Sequence, residues 1–190
     1  MKGIFKKRNA LWILLLALSC PALSESEQKL DFGSYIGRIW SDGSGVIGTP
    51  ADVAGFKDTW SFQIKNDEMT DEKVITVRKY AFTNSPQFGR LKLNADISLW
   101  INFSNPEQEV LCLSGHDYPG MKGMVRIDIN APIKTSEQGC VLISEAVEQQ
   151  LRNGNTIVLR GYAWPYKGGE TQKISLGGYI ATSTFLRGKR

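Results

Sequence analysis

The chain has 190 residues, of which 42% are hydrophobic, so it is long enough for one domain with a buried core. It carries 23 lysines and arginines against 19 acidic residues, but residues 25–190 alone contain 19 basic and 19 acidic side chains. The positive charge therefore belongs to the first 24 residues. Residues 25–190 have no surplus of positive charge. Nucleic acids and anionic membranes are attracted to basic surfaces, so we expect neither as a partner.

Residues 1–24 have the three parts of a secretory signal peptide. A basic segment ends at Arg8, an apolar run covers residues 10–18, and small residues precede a cleavage site after Ser24. The apolar run is about half as long as a bilayer-spanning helix. This leader has a bacterial form, and it predicts a periplasmic or secreted protein.

A lipid anchor at Cys20 is the alternative to simple cleavage. The residues before this cysteine loosely resemble the lipobox of bacterial lipoproteins, in which the cysteine is acylated. Leucine is expected three residues before the cysteine, where this chain has Ala17, and Pro21 follows it directly. We therefore expect cleavage, and no transmembrane segment is expected after the leader is removed.

The exported part is predicted to begin with a glycine-rich N-terminal arm over residues 25–58. Five glycines between Gly33 and Gly48 interrupt any regular period, although Tyr35 to Trp40 could form a short strand. Residues 43–48 match G-x-G-x-x-G, but a dinucleotide site needs this turn to lie between a buried strand and a long crossover helix. Pro50 follows almost at once, so we expect a glycine loop and no cofactor.

Residues 59–186 are predicted to form a mainly β domain, an antiparallel β-sandwich or curled sheet. Alternating apolar and polar residues, or β-branched and aromatic residues, mark strands within 59–66, 73–82, 97–104, 124–130, 157–163 and 174–180. One short α-helix interrupts the strands at 144–153, with Ser144 as its N-cap and Gly154 after its end. A basic C-terminal tail follows at 187–190.

Two cysteines, Cys112 and Cys140, remain after removal of the leader. An even number of cysteines in an oxidising compartment predicts one disulfide, and two buried thiols are the alternative. These cysteines and the single His116 cannot complete a tetrahedral metal site without carboxylates, so we expect no metal.

Asp67-Glu68-Met69-Thr70-Asp71 is the most distinctive short segment. It is predicted to be a polar hairpin connection in which Asp and Thr side chains accept hydrogen bonds from backbone amides. A cation bound by Asp67 and Asp71 is the alternative, although a calcium loop needs six or more oxygen ligands.

His116 and Asp117 lie in a predicted exposed turn, and a partner contact or a general base is the alternative role for His116. Trp100 lies on the polar face of its strand, and Trp164 lies beside Pro165 at a strand end. These two tryptophans are the better candidates for exposed aromatic contacts. We expect the N-terminal arm to cover exposed aromatic rings, and the alternative is a sugar-stacking platform of Trp40, Trp60, Trp100 and Trp164.

The order of these features resembles a group of small exported bacterial β-domains that carry a D-x-M-T-D turn. The resemblance covers about residues 59–183 and includes the turn at 67–71, a strand with Asp128 and a final glycine-bearing strand. Accessory proteins associated with type VI secretion belong to this group. The resemblance implies an exported β-domain and no particular catalytic residues.

The sequence therefore predicts a non-enzymatic binding or accessory protein that docks on another envelope protein, such as a secretion or conjugation component. The possible partner contacts are Trp100, Trp164, His116, Asp117, Asp67 and Asp71. One alternative is an envelope-directed hydrolase that uses His116 and Asp117. Another is an inhibitor of a cell-wall enzyme.

Overall fold

A computed structural model describes residues 27–80, 97–165 and 169–190 of the chain. The predicted leader, its cleavage site and Cys20 lie outside the described residues. The described residues form two antiparallel sheets, which confirms the predicted mainly β fold.

The larger sheet has eight strands, and the first seven follow chain order. They are β1 (Gln28–Asp31), β2 (Ile36–Ile39), β3 (Ser44–Gly48), β4 (Trp60–Asn66), β5 (Lys73–Lys79), β6 (Ser98–Asn102) and β7 (Val110–Ser114). The next two strands, β8 (Met124–Ile127) and β9 (Ile133–Lys134), belong to the other sheet. The chain then returns to place β10 (Cys140–Leu142) beside β7.

The smaller sheet has four strands in the order β12-β11-β8-β9, where β11 is Thr156–Gly161 and β12 is Glu170–Ser175. One buried cluster combines apolar side chains from both sheets. Trp60 and Leu99 represent the larger sheet in this cluster, and Val125 and Leu159 represent the smaller. Burial of one face of each strand is what their period-two alternation requires.

The pairing of β10 with β7 brings the two cysteines together. Cys140 lies directly opposite Cys112, 28 residues away along the chain, and their sulfur atoms are at disulfide bonding distance. The predicted disulfide is therefore confirmed, and it joins an edge strand to the body of the larger sheet.

The glycine-rich segment 25–58 differs from the loosely packed arm that we predicted. It supplies β1, β2 and β3, which continue the larger sheet outward from β4. The residues expected to form a glycine loop are largely β3 itself. A Cβ atom at Gly45 would lie 2.2 Å from the ring of Phe62 on the neighbouring strand, so glycine here lets the aromatic ring pack across the backbone.

The described residues contain three helices beside the sheets, where we predicted one. The predicted helix is α2 (Glu145–Asn153), with Ser144 at its N-cap and Gly154 after its end. The unpredicted helices are α1 (Pro50–Gly55) and α3 (Tyr179–Arg187). None of the helices in the described ranges has both the length and the hydrophobicity of a bilayer-spanning segment.

The strand predicted over 124–130 ends earlier, at Ile127. Asp128 has a φ of 47° and turns the chain, and its carboxylate accepts hydrogen bonds from the backbone of Asn155 and Thr156 at 2.9 and 2.8 Å. These bonds hold the pKa of Asp128 below its ordinary value. Ile129, expected on the apolar face of the strand, is therefore 91% exposed.

Helix α3 replaces the end of the strand predicted over 174–180. The turn before it is held from the larger sheet, because the Gly177 carbonyl accepts hydrogen bonds from Trp60 Nε1 at 2.8 Å and from Lys79 Nζ at 3.2 Å. Lys79 is fully buried, and its Nζ lies 3.2 Å from the Asp58 carboxylate. Burial lowers the pKa of Lys79, and the charge of Asp58 opposes that shift.

The far end of α3 is held by an ion-pair network. The Arg187 guanidinium donates to Glu109 at 2.6 and 2.9 Å and to Glu148 at 2.7 and 2.8 Å. Arg190 also pairs with Glu109, and the Tyr179 hydroxyl donates to Glu148 at 2.6 Å. Two residues of the predicted basic tail, Arg187 and Arg190, thus fasten the C-terminus to the body of the domain.

This network predicts that the protein loses stability in acid. Burial alone would raise the pKa of Glu148, but hydrogen bonds from Arg187 and Tyr179 outweigh it and hold the pKa below its ordinary value of 4.5. A carboxyl with a depressed pKa in the folded state contributes stability above pH 4.5, and that contribution is lost as pH falls through the folded-state pKa.

Urea denaturation at pH values from 7 downward, in steps of about one unit, measures this dependence. We expect the Glu148→Gln variant to have a lower free energy of unfolding at neutral pH and a shallower decline in acid. An unchanged acid slope in this variant would show that Glu148 is not the responsible group.

Candidate functional site

Three of the six predicted contact residues come together in space. The loop after β7 carries His116 and Asp117, and the segment after β11 carries Trp164. The backbone N–H groups of Asp117 and Tyr118 both donate to the Tyr162 carbonyl at 3.1 Å. The Asp117 carboxylate in turn accepts the backbone N–H of Trp164 at 2.7 Å, so the two segments are joined as one unit.

His116 lies beneath this unit and is only 6% exposed, so the prediction of an exposed turn is wrong for this residue. Its Nδ1 accepts the backbone N–H of Tyr162 at 3.0 Å, and the two rings meet edge to face at 6.0 Å. Its Nε2 is buried and has no hydrogen-bond partner among the described residues. A general base must reach its substrate, so this burial favours a structural role for His116 over the catalytic alternative.

Two aromatic rings of this unit pack against each other. Tyr118 and Trp164 lie with ring centroids 5.3 Å apart at an angle of 53°. The Trp164 residue is 61% exposed, and Tyr118 is half-buried. We call Asp117, Tyr118 and Trp164 the aromatic ledge. Trp and Tyr carry a large share of the binding energy at protein interfaces, and the hydrogen bond to Asp117 holds the ledge in place before any partner binds.

Trp100 lies elsewhere, on the outer face of the larger sheet. It is half-buried, and in register it stands between Arg78 on β5 and Cys112 on β7. The disulfide therefore lies next to Trp100 on the same face. The structure does not bring Trp100 to the ledge.

Asp67 and Asp71 form the predicted hairpin connection between β4 and β5. The Asp67 carboxylate accepts the backbone N–H groups of Met69 and Thr70 at 2.9 and 3.1 Å, and Asp71 turns the chain with a φ of 56°. The bonds from Met69 and Thr70 lower the pKa of Asp67. Within the described ranges, no group of three metal-ligating side chains forms.

Sequence reasoning missed two residues at these places. Met69 is 92% exposed at the tip of the hairpin, and Tyr118 supplies one of the two rings of the aromatic ledge. The sequence Tyr118-Pro119-Gly120 could have indicated the position of Tyr118. It predicts a turn after a buried strand, and such a turn places its aromatic residue at the surface.

Comparison with known proteins adds no relative. The chain matches no protein-family model, no curated protein and no solved structure.

Proposed function

We propose that this chain is an exported, non-enzymatic binding protein that docks on another protein of the bacterial envelope through the aromatic ledge. The observation that carries the proposal is the contact between the exposed Trp164 and the half-buried Tyr118, with the Trp164 backbone held by Asp117. The leader at residues 1–24 supports export, and the neutral charge of residues 25–190 is compatible with a protein partner.

The chemistry of the ledge fits a protein partner better than a substrate. Large, rigid side chains add contact area at a low cost in conformational entropy, because their rings have few rotatable bonds. His116 and Asp117, the groups that a hydrolase would use, are occupied in joining two loops. The resemblance to secretion-associated accessory proteins makes a component of a secretion apparatus the first partner to test.

The proposal is tested by photo-cross-linking in intact cells. A photoreactive phenylalanine analogue replaces Trp164, and the matched control places it at Ile129, which is also exposed and lies outside the ledge. We expect a discrete adduct with one envelope protein from position 164 and none from position 129. Adducts that are absent from position 164, or equal from both positions, would contradict the proposal.

Affinity for the captured partner gives a second measurement. The Trp164→Ala variant is expected to bind it at least about 30-fold more weakly, which is the loss typical of a central aromatic contact. Ile129→Ala is expected to bind as the unaltered protein does. Trp164 is largely exposed, so its replacement should leave the midpoint of urea denaturation nearly unchanged.

A further inference from the structure

A groove of about 800 Å³ opens at the start of α3, in the size range of small-ligand and peptide sites. Its walls are largely apolar and come from the β1–β2 connection and from the α3 region. We call it the α3 groove, and its principal apolar residues are Phe32, Tyr35, Leu176, Ile180 and Phe185. Ile180 is 46% exposed, so the groove presents apolar surface to solvent.

Of the residues that the structure describes, one with a charged side chain lines the α3 groove, Arg152 at the end of α2. It lies 3.6 Å from Glu148, but the same carboxylate also accepts hydrogen bonds from Arg187 and Tyr179. Glu148 itself is not among the groove-lining residues. The groove is therefore apolar with a cationic side, and it is complementary to an apolar ligand that carries one negative charge.

Backbone N–H groups at the start of α3 also favour a negatively charged ligand. Helix α3 begins after Gly178 without a side-chain cap, and in the described residues the N–H groups of Ile180 and Ala181 have no hydrogen-bond partner. The Gly177 carbonyl is already used by Trp60 and Lys79. Unpaired N–H groups at a helix N-terminus favour a negative charge, which reinforces the effect of Arg152.

We propose that the α3 groove binds the C-terminal end of a partner protein, an apolar segment whose terminal carboxylate lies towards Arg152 and the start of α3. The proposal rests on the proposed function and adds a second contact point to it. A peptide is favoured over a lipid because the polar residues Ser175, Asn155 and Thr184 line the groove as well. These polar groups can hydrogen-bond peptide amides, which an acyl chain lacks.

The test uses the mature protein and fluorescein-labelled pentapeptides that end in Leu, Ile, Val or Phe, each made as the free acid and as the C-terminal amide. Fluorescence anisotropy measures the dissociation constants. We expect at least one of the acids to bind, and to bind about tenfold more tightly than its amide, because a charge-assisted hydrogen bond is lost in the amide.

Two variants locate the binding. Arg152→Gln is expected to weaken binding of the acid about tenfold and to leave binding of the amide unchanged. Ile180→Asp places a carboxylate in the groove at the start of α3, where it suits the helix dipole, and is expected to abolish binding of the acid. Ile129→Asp is the matched control, because Ile129 is exposed and lies outside the groove.

Equal affinity for acid and amide, binding that survives Ile180→Asp, or no binding by any of the peptides would overturn the proposal. Binding to phosphatidylglycerol vesicles that is lost in Ile180→Asp, without peptide binding, would overturn it in favour of a lipid. A cross-link from position 164 without peptide binding would reject the groove proposal alone. Peptide binding without that cross-link would instead reject the ledge as the docking surface.

Discussion

Replacement of Arg187 by methionine is expected to lower the free energy of unfolding by about 3 kcal/mol. The change leaves two carboxylates, those of Glu109 and Glu148, close together without the cation that joins them. The Glu109 side chain is only 9% exposed, so water cannot fully replace the lost partner. The Arg187 guanidinium also lies over the Phe103 ring, 5.2 Å from its centroid, and methionine replaces it with an uncharged side chain of similar length.

Urea denaturation at pH 7 measures this loss, and Arg152→Gln is the matched control. Both arginines pair with Glu148, but the Arg152 side chain is 41% exposed and the Arg187 side chain 25%. The exposed pair is expected to contribute less than about 1 kcal/mol. An equal decrease in the free energy of unfolding in both variants would show that the ion-pair network stabilises α3 no more than the exposed pair does.

Removal of the disulfide in the Cys112→Ala/Cys140→Ala variant is expected to cost about 3–4 kcal/mol. The bond closes a 28-residue separation, and its loss frees that segment in the unfolded chain. Alanine is chosen because Cys112 is 4% exposed, and serine would bury a hydroxyl there. The denaturant slope is expected to rise, since the unfolded chain without the cross-link exposes more surface.

The unaltered protein, denatured in urea with dithiothreitol, is the control for this variant. It should lose the same stability if the cross-link, rather than a packing defect at the two alanines, is responsible. A loss below about 1 kcal/mol in both samples would contradict the chain-entropy explanation.

Local sequence patterns were sufficient to predict much of the fold. The alternation of Trp60, Phe62 and Ile64 predicted β4, and the Ser144 cap predicted the start of α2. The hairpin at Asp67 followed from the preference of aspartate for accepting backbone amides. Each of these features depends on residues close together in the chain, which is why the sequence shows them.

The candidate site was predicted in part. His116, Asp117 and Trp164 were each named for their residue type, but nothing in the sequence places Trp164 against a loop 47 residues earlier. β7 and β11 belong to different sheets, so that juxtaposition depends on how the two sheets pack together. Tyr118 became important only when its ring was found beside Trp164.

By itself the sequence determined a mainly β chain with a signal-like leader, one disulfide and one well-capped helix. Only the tertiary structure decided that the glycine-rich segment extends the larger sheet and that Tyr179–Arg187 is helical. The residues of α3 include several β-branched and aromatic side chains, which are weak helix formers. Burial of Tyr179 and Leu186 and the ion pairs of Arg187 stabilise the helix instead, and these contacts come from residues distant in the chain.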